Sequence, residues 1–184
     1  MQNIHGLRWA LAAAVLFFVG NSYAVTYPES EANTRDPMAN GYQVNDSRGE
    51  PLIDINGTPW RFETYKGRWI VVNYWASYCP PCLSMIPELN AIYRGREGKQ
   101  AMVLGVNYDY VSTAETHAFV KEFNITYPVT QVDPASKLGL SPVGALPLTI
   151  IINPEGRVAQ VLGGVQTQVS LENYMRTPEE QEGQ

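Results

Sequence analysis

Two cysteines separated by two prolines follow a long apolar run. Cys79 and Cys82 are the only cysteines among the 184 residues, and the run from Trp69 to Trp75 precedes them. A buried strand that leads to a Cys-x-x-Cys sequence at the start of a helix is typical of a redox-active pair. Two intervening residues place the sulfurs about one helical turn apart, so a disulfide can form without moving the backbone. The pair is therefore expected to alternate between a disulfide and two free thiols.

Residues 1–24 have the features of a secretory signal peptide. Arg8 lies in a short N-terminal region, and an apolar stretch runs from Trp9 to Gly20. Small residues follow at Ser22 and Ala24, the positions that signal peptidase recognises. The apolar stretch is shorter than the roughly 20 residues that span a bilayer. We therefore expect cleavage and export to the periplasm, with a retained N-terminal membrane anchor as the alternative.

The charge balance excludes two classes of partner. The formal net charge is −5, and removal of Arg8 with the leading segment takes it to −6. Nucleic acids and anionic membrane surfaces are bound by basic patches, so neither is expected as a partner.

The chain is long enough for one domain with its own core, because 45% of its residues are hydrophobic. Residues 25–41 are polar and interrupted by Pro28 and Pro37, which predicts a flexible leader. The domain is expected at residues 42–176, and an acidic tail at 177–184.

Strand and helix patterns alternate through this domain. The predicted elements are a hairpin around Asn56-Gly57, strands at 69–75, 101–106 and 129–132, a helix from Cys79 to Gly95 kinked at Pro87, a helix from Ser112 to Asn124 opened by a capping box, a turn or short helix at 135–140, a hairpin at 148–162 and a helix at 170–176. This order predicts an α/β fold, with a central mixed sheet, helices on both faces and an added N-terminal hairpin. The cysteines follow the carboxyl end of a central strand, where open α/β sheets place their sites.

The two cysteines are expected to have unequal roles. A thiol at the start of a helix is favoured as thiolate by free backbone N–H groups, which assigns Cys79 as the attacking thiol. Cys82 lies one turn deeper and is assigned as the resolving thiol. Pro80 and Pro81 suit a first helical turn and stiffen the loop between the sulfurs. A purely structural disulfide is the alternative, but so small a loop removes little entropy from the unfolded chain.

Further sequence features resemble a known family. These are Trp75-Ala76-Ser77-Tyr78 ahead of the cysteines, Pro87, the segment from Asp54 to Lys66-Gly67, the strand end Gly105-Val106-Asn107-Tyr108-Asp109, Tyr127-Pro128-Val129, and Leu146-Pro147 before the strand and turn that end at Gly156. Together they resemble the thioredoxin fold. More narrowly, the stretch from Tyr42 to Tyr174 is similar to exported TlpA-like thiol-disulfide oxidoreductases, the group that contains cytochrome c maturation reductases.

The resemblance implies roles for residues outside the cysteine pair. Pro147 is expected to be cis and to face the cysteines, and the backbone of Leu146 and Pro147 to pair with the substrate chain. Trp75 is expected to support the active-site helix by packing. The redox-active disulfide Cys79–Cys82 serves in place of a bound cofactor, and the expected protein is a monomer.

The chain departs from the family at two positions. Where thioredoxins usually place a buried acid it has Asn73, and where some cytochrome-maturation members carry a glutamate it has Met85. Glu88 falls on the opposite face of the helix from Cys79 and is predicted to be a solvated charge. These departures weaken the case for a cytochrome-maturation substrate and leave dithiol exchange intact.

Two other function classes fit less well. The Pro-x-x-x-Thr/Ser-x-x-Cys pattern of peroxidases is absent, because Val72 and Ala76 occupy those positions. A copper-binding or zinc-binding module would need more ligands than Cys79, Cys82 and His117 supply, so no metal site is expected.

Within dithiol exchange, the resemblance favours a reductase of disulfide-containing client proteins. An exported reductase would receive electrons from a membrane thiol partner. An oxidase or isomerase is the alternative.

Overall fold

The computed structural model describes residue 44 and residues 49–95, 101–141 and 143–176. The predicted signal peptide at 1–24, the leader at 25–41 and the acidic tail at 177–184 lie outside these residues. Within the described ranges, no helix has the length and apolar character that crossing a bilayer requires.

A five-stranded mixed sheet forms the centre of the domain. The strands are β1 (Leu52–Ile53), β2 (Pro59–Trp60), β3 (Ile70–Trp75), β4 (Met102–Asn107), β5 (Val129–Thr130), β6 (Leu148–Ile152) and β7 (Val158–Gly163). The order is β5-β4-β3-β6-β7, with β3 parallel to β4 and antiparallel to β6. Every residue of β3 is buried, which accounts for its lack of polar alternation. The predicted central strand is confirmed.

The helix after the cysteines is divided in two. The α-helices are α1 (Pro80–Ser84), α2 (Ile86–Arg94), α3 (Thr113–Glu122) and α4 (Gln168–Tyr174), and 3-10 helices lie at Phe62–Tyr65 and Ala135–Leu138. The predicted kink is a break at Met85, whose N–H donates to the carbonyls of Cys82 and Leu83. Pro87 causes this break because it has no N–H and its ring crowds the carbonyl four residues before it.

The sheet separates two hydrophobic clusters. The first holds both cysteines, Val71 and Trp75, and residues of the four α-helices named above pack into or against it. The second includes Ile70 and receives residues of the hairpin and of the two 3-10 helices, namely Leu52, Trp60, Phe62 and Leu138. Helices therefore cover both faces as predicted, with 3-10 helices on the second face, and the α/β thioredoxin-like fold is confirmed.

The predicted N-terminal hairpin is present as a separate two-stranded sheet of β1 and β2. Its turn is closed by Asp54, whose carboxylate accepts from the N–H groups of Asn56 and Thr58 at 2.9 and 2.7 Å. Gly57 has φ 80°, a conformation that glycine adopts without steric cost. The hairpin is anchored to the main sheet, since the N–H of Ile55 donates to the carbonyl of Val129 at 2.8 Å.

The predicted capping box opens α3. The hydroxyl of Ser112 accepts from the N–H of Glu115, and the Glu115 carboxylate accepts from the N–H of Ser112 at 2.9 Å. The Ser112 hydroxyl also donates to the Glu115 carboxylate at 2.7 Å, and this bond and the one from the Ser112 N–H lower the pKa of the Glu115 carboxyl, because they favour its charged form.

Candidate active site

Cys79 and Cys82 form a disulfide, with Cα atoms 5.3 Å apart. The buried strand β3 leads to this pair, and Cys79 is the N-cap of α1. The two residues differ in accessibility: Cys79 is 8% exposed and Cys82 is fully buried. An attacking reagent can therefore approach Cys79 more readily, in agreement with the predicted roles.

The start of α1 supplies one hydrogen bond to the outer sulfur. The N–H of Cys82 lies 3.3 Å from the Sγ atom of Cys79. Pro80 and Pro81 occupy the first helical positions and have no N–H, so Cys82 provides the first backbone donor of the helix. In the reduced protein, a donor at this position favours negative charge on Cys79 over negative charge on Cys82.

The turn between β3 and α1 is tied to the end of β4. Asp109 accepts hydrogen bonds from the N–H of Ser77 at 2.9 Å and from the Ser77 hydroxyl at 3.2 Å. The side-chain amide of Asn107 donates to the same carboxylate at 2.7 Å. Asp109 is thus bonded to the residue two positions before Cys79, although sequence analysis gave it no separate role.

Leu146 and Pro147 lie at the same sheet edge as the cysteines. Their peptide bond is cis, as the resemblance implied. Pro147 directly precedes β6, whose first residue, Leu148, pairs with Tyr74 near the end of β3. Leu146 packs against the cluster that contains both cysteines. The predicted docking residues therefore share an edge with the disulfide.

Trp75 is buried in the cluster beneath the active-site helix, which agrees with a packing role. Its ring meets Phe123 of the α3 C-cap edge to face, at 6.3 Å between centroids. A Cβ placed on Gly105 would come within 2.9 Å of the Tyr127 ring and 3.2 Å of the Trp75 Nε1 atom, so the glycine makes room for both rings. Trp75 thereby links the end of β3 to α3.

The two positions where family members carry acids are occupied by neutral buried residues. Asn73 donates from its amide to the hydroxyl of Thr149 at 3.0 Å, and both side chains are buried. Met85 is fully buried at the junction of α1 and α2. Neither side chain carries a proton that could be exchanged with a cysteine.

The prediction that Glu88 is a solvated charge is wrong. Glu88 is half-buried, and its carboxylate accepts from the N–H of Gln168 at 2.7 Å. Helical spacing places Glu88 away from Cys79, but α4 packs against α2 there and presents a free N–H at its first turn. Glu88 therefore anchors α4 through this hydrogen bond.

His117 contributes to the fold. Its Nε2 atom lies 2.9 Å from the carbonyl of Ile55, and because a carbonyl only accepts, the imidazole is the donor. The described ranges contain no group of three or more His, Cys, Asp or Glu side chains arranged to hold a metal ion.

Two exposed tyrosines flank the site and were not predicted as functional residues. Tyr78, immediately before Cys79, is 70% exposed, and Tyr110, immediately after Asp109, is 99% exposed. Burial and the charge of Asp133 raise the pKa of Tyr108, and the phenols of Tyr110 and Tyr78 add to that rise. For Tyr78, the position next to Cys79 is a signal that the sequence did contain.

Comparison with known proteins agrees with this geometry. The family model described as the AhpC/TSA family matches residues 41–161. The thiol-disulfide oxidoreductase ResA of Bacillus subtilis (strain 168) is 30% identical over 124 residues, which cover 67% of this chain and 69% of that protein. A ResA protein of Bacillus cereus is 29% identical over 126 residues, with 68% and 72% covered.

Solved structures are similar over most of their length. A DsbF homologue from Corynebacterium diphtheriae matches with a TM-score of 0.62 and 28% identity, covering 74% of this chain and 86% of that one. A secreted thiol-disulfide isomerase from Corynebacterium glutamicum matches with a TM-score of 0.59 and 25% identity, covering 68% and 81%. Both have the fold of this chain, and the second is named for thiol-disulfide chemistry.

Proposed function

Because the chain belongs to the AhpC/TSA family and is a TlpA-like protein-disulfide oxidoreductase of the thioredoxin superfamily, we propose that it is exported to the periplasm and there reduces disulfides of client proteins with its Cys79–Cys82 dithiol. The observation that carries the proposal is the asymmetry of the pair. Cys79, the N-cap of α1, is 8% exposed and receives a backbone N–H, whereas Cys82 is fully buried.

The exchange proceeds in two displacements. The Cys79 thiolate attacks one sulfur of the client disulfide, so a Cys79–client bond forms, the client S–S bond breaks, and the second client sulfur leaves as a thiolate that takes up a proton. Cys82 then gives up its proton and attacks the Cys79 sulfur, which releases the first client sulfur. The client gains two electrons, and the protein is left with the Cys79–Cys82 disulfide.

Return to the dithiol requires two electrons from another thiol pair. We propose a membrane-bound electron-transfer thiol partner, which would attack the same disulfide from the accessible Cys79 side. No bound cofactor is needed for either half of the cycle, because the electrons and protons pass through cysteine sulfurs alone.

Client docking is proposed at Leu146 and Pro147. Both lie beside the end of β3 that leads into the cysteines, and Leu146 packs against the hydrophobic cluster that contains the cysteines. The carbonyl of Pro147 is already taken by the N–H of Gly164 at 2.9 Å, which ties this loop to the end of β7. A client chain would lie along the loop with its disulfide above Cys79. The protein is proposed to act as a monomer.

An isomerase or oxidase is the second candidate. The observation that favours an isomerase is the similarity to the secreted thiol-disulfide isomerase from Corynebacterium glutamicum. The same displacements run in reverse would oxidise a client, and the partner would then be a reoxidant.

The proposal is tested by trapping with the variant C82S. Without the resolving thiol, the Cys79–client bond persists, so non-reducing gels of periplasmic extract should show adducts that dithiothreitol removes. C79S is the matched control and should form none. Adducts of equal amount in C79S, or none in C82S, would contradict the assignment.

The direction of transfer and the peroxidase alternative are measured separately. Rapid transfer of electrons from the wild-type dithiol to an oxidised client, with slow transfer from the reduced client to the wild-type Cys79–Cys82 disulfide, indicates a reductase. Fast consumption of peroxide that depends on Cys79 would instead indicate a peroxidase.

A further inference from the structure

Asp109 joins the strand next to β3 to the turn that carries the attacking cysteine. The residue is 9% exposed, and its carboxylate accepts three hydrogen bonds, two from Ser77 and one from Asn107. We propose that Asp109 is a positioning residue, which holds the turn ahead of Cys79 and keeps the Cys79 sulfur less prone to ionise than it would otherwise be. This inference rests on the proposed exchange at Cys79.

The first half of the proposal follows from the backbone of the turn. The N–H of Cys79 donates to the carbonyl of Ala76 at 3.1 Å, which closes the turn locally. The N–H of Ser77 points away from this bond and into the Asp109 carboxylate. Because the acceptor comes from the end of β4, 32 residues away, it fixes the turn relative to the sheet. Loss of the acceptor would leave a part-buried N–H unpaired.

The second half follows from charge. The carboxylate binds the N–H of Ser77, two residues before Cys79, and so contacts the same turn that carries the Cys79 sulfur. A negative charge near a thiol disfavours ionisation of that thiol, and solvent screening is weak because Asp109 and Cys79 are 9% and 8% exposed. The helix start and Asp109 thus act on the Cys79 sulfur in opposite directions.

Among the titratable groups of the described residues around the turn, Asp109 is the charged group that is hydrogen-bonded to the turn itself. Burial and the neighbouring Asp133 raise the pKa of both Tyr74 and Tyr108, which keeps these phenols neutral. The remaining groups are the phenols of Tyr78 and Tyr110, the thiol of Cys82, and Asp133. The Asp133 carboxylate accepts from the hydroxyl of Tyr74 and the N–H of Ala135, both at 2.8 Å, and is bonded to none of the turn residues in the described chain.

Two substitutions separate geometry from charge. In D109N, the amide oxygen can accept from the Ser77 N–H and from Asn107, while the amide nitrogen donates to the Ser77 hydroxyl. The turn is then kept and the charge is removed. In D109A, the charge and all three hydrogen bonds are lost.

The matched control is E155Q. Glu155 lies in the turn between β6 and β7, after Ile152, which pairs with Ile70 at the start of β3. The full length of β3, roughly 20 Å for six residues, separates it from the cysteines. The substitution therefore also removes one carboxylate charge, but at the end of the strands that lies farthest from the cysteines.

The experiment measures the reactivity and the redox equilibrium of Cys79 in the full chain. Alkylation of C82S by iodoacetamide across pH gives the pKa of Cys79, and equilibration with glutathione gives the stability of the dithiol. We expect C82S/D109N to show a Cys79 pKa lower by about one unit than C82S. At a pH above the Cys79 pKa, we expect D109N to favour the dithiol by up to about tenfold, which corresponds to about 30 mV. E155Q, alone or with C82S, should change neither quantity.

D109A tests the turn. Reduction of insulin disulfides by the dithiol form should slow about fivefold or more in D109A and less than twofold in D109N. Should D109A fail to fold, D109N alone decides the charge effect. An unchanged pKa and glutathione equilibrium in D109N would overturn the proposal. If C82S itself forms no mixed disulfide with glutathione, the exchange function fails, and this inference with it.

Discussion

The amide nitrogen of Asn73 lies 3.0 Å from the hydroxyl of Thr149, across the β3–β6 pair and on the same side of the sheet as the active-site helix. Both side chains are buried, and the Oδ1 atom of Asn73 has no hydrogen-bond partner among the described residues. A neutral pair thus occupies the position where thioredoxins usually have a buried acid.

Replacement of this amide by an acid should make stability depend on pH. In N73D, burial raises the pKa of the new carboxyl above its unfolded value of about 4. The native state then holds a proton that the unfolded state has released, so the free energy of unfolding falls as pH rises from about 4 towards the native pKa. We expect N73D to be about 2 kcal/mol less stable than wild type at pH 8 and closer to it at pH 4.5. Urea unfolding at both pH values measures this.

N73L is the control for N73D, because it loses the same hydrogen bond without gaining an ionisable group. Its deficit relative to wild type should be the same at both pH values. Equal deficits for N73D at pH 4.5 and pH 8 would show that the site tolerates a charge.

Removal of the Tyr127 hydroxyl should stabilise the protein. Tyr127 is buried, its ring meets Tyr93, and its hydroxyl has no partner among the described residues. A buried unpaired hydroxyl costs about 1–3 kcal/mol, so Y127F should raise the free energy of unfolding by about 1 kcal/mol. Urea unfolding at pH 7 tests this, with Y174F on α4 as the exposed control. A loss of stability in Y127F would mean that the hydroxyl is bound.

The same substitution should alter alkaline unfolding. Burial raises the pKa of Tyr127, so above pH 10 the unfolded state releases a proton that the native state keeps, and stability falls as pH rises. One such group contributes a slope of at most about 1.4 kcal/mol per pH unit. Between pH 10 and 11.5, the free energy of unfolding should fall less steeply with pH in Y127F than in wild type. Tyr74, whose pKa is also raised, accounts for part of the fall that remains in Y127F.

Tyr78 is expected to matter for protein substrates alone. Its exposed ring stands next to Cys79, where it can contact a client chain but has no part in sulfur exchange. In Y78A we expect KM for insulin to rise about fivefold, while the rate with glutathione disulfide changes less than twofold. Y174A, on α4, is the control. A parallel loss with both substrates would place Tyr78 in the chemistry instead.

Glu88 should contribute to stability through α4. E88A removes the acceptor of the Gln168 N–H, and we expect a loss of about 1–2 kcal/mol. E88Q keeps an acceptor and should lose less than half as much. Urea unfolding of both variants measures the difference, and insulin reduction should remain within twofold of wild type. Similar losses in E88A and E88Q would indicate that the charge matters more than the hydrogen bond.

The elements that sequence patterns predicted well are those determined locally. The capping box at Ser112, the Asn56-Gly57 turn and the buried run of β3 each depend on neighbours a few residues apart, and each is present. The position of Cys79 at a helix start follows from the same kind of pattern. Strand bounds shifted by one or two residues, because pairing in the sheet decides where a strand ends.

The contacts that sequence patterns could not predict join distant segments. Glu88 and Gln168 are 80 residues apart, and Ser77 and Asp109 are 32 apart. Helical periodicity shows which way Glu88 points relative to Cys79, but not that α4 packs there. The strand end at Asp109 was recognised from the resemblance, whereas its attachment to the cysteine turn depends on the parallel pairing of β3 and β4.

The N-terminal hairpin has a consequence for the solubility of the protein. It lies along β5, where Thr130 bonds the carbonyl of Ile53 and Ile55 bonds Val129. An uncovered strand edge is a template for pairing with another chain, and β5 lies at one end of the sheet. The hairpin therefore protects the sheet from edge-to-edge association, and a shortened chain that begins after it would be expected to aggregate at concentrations where the intact domain stays dissolved.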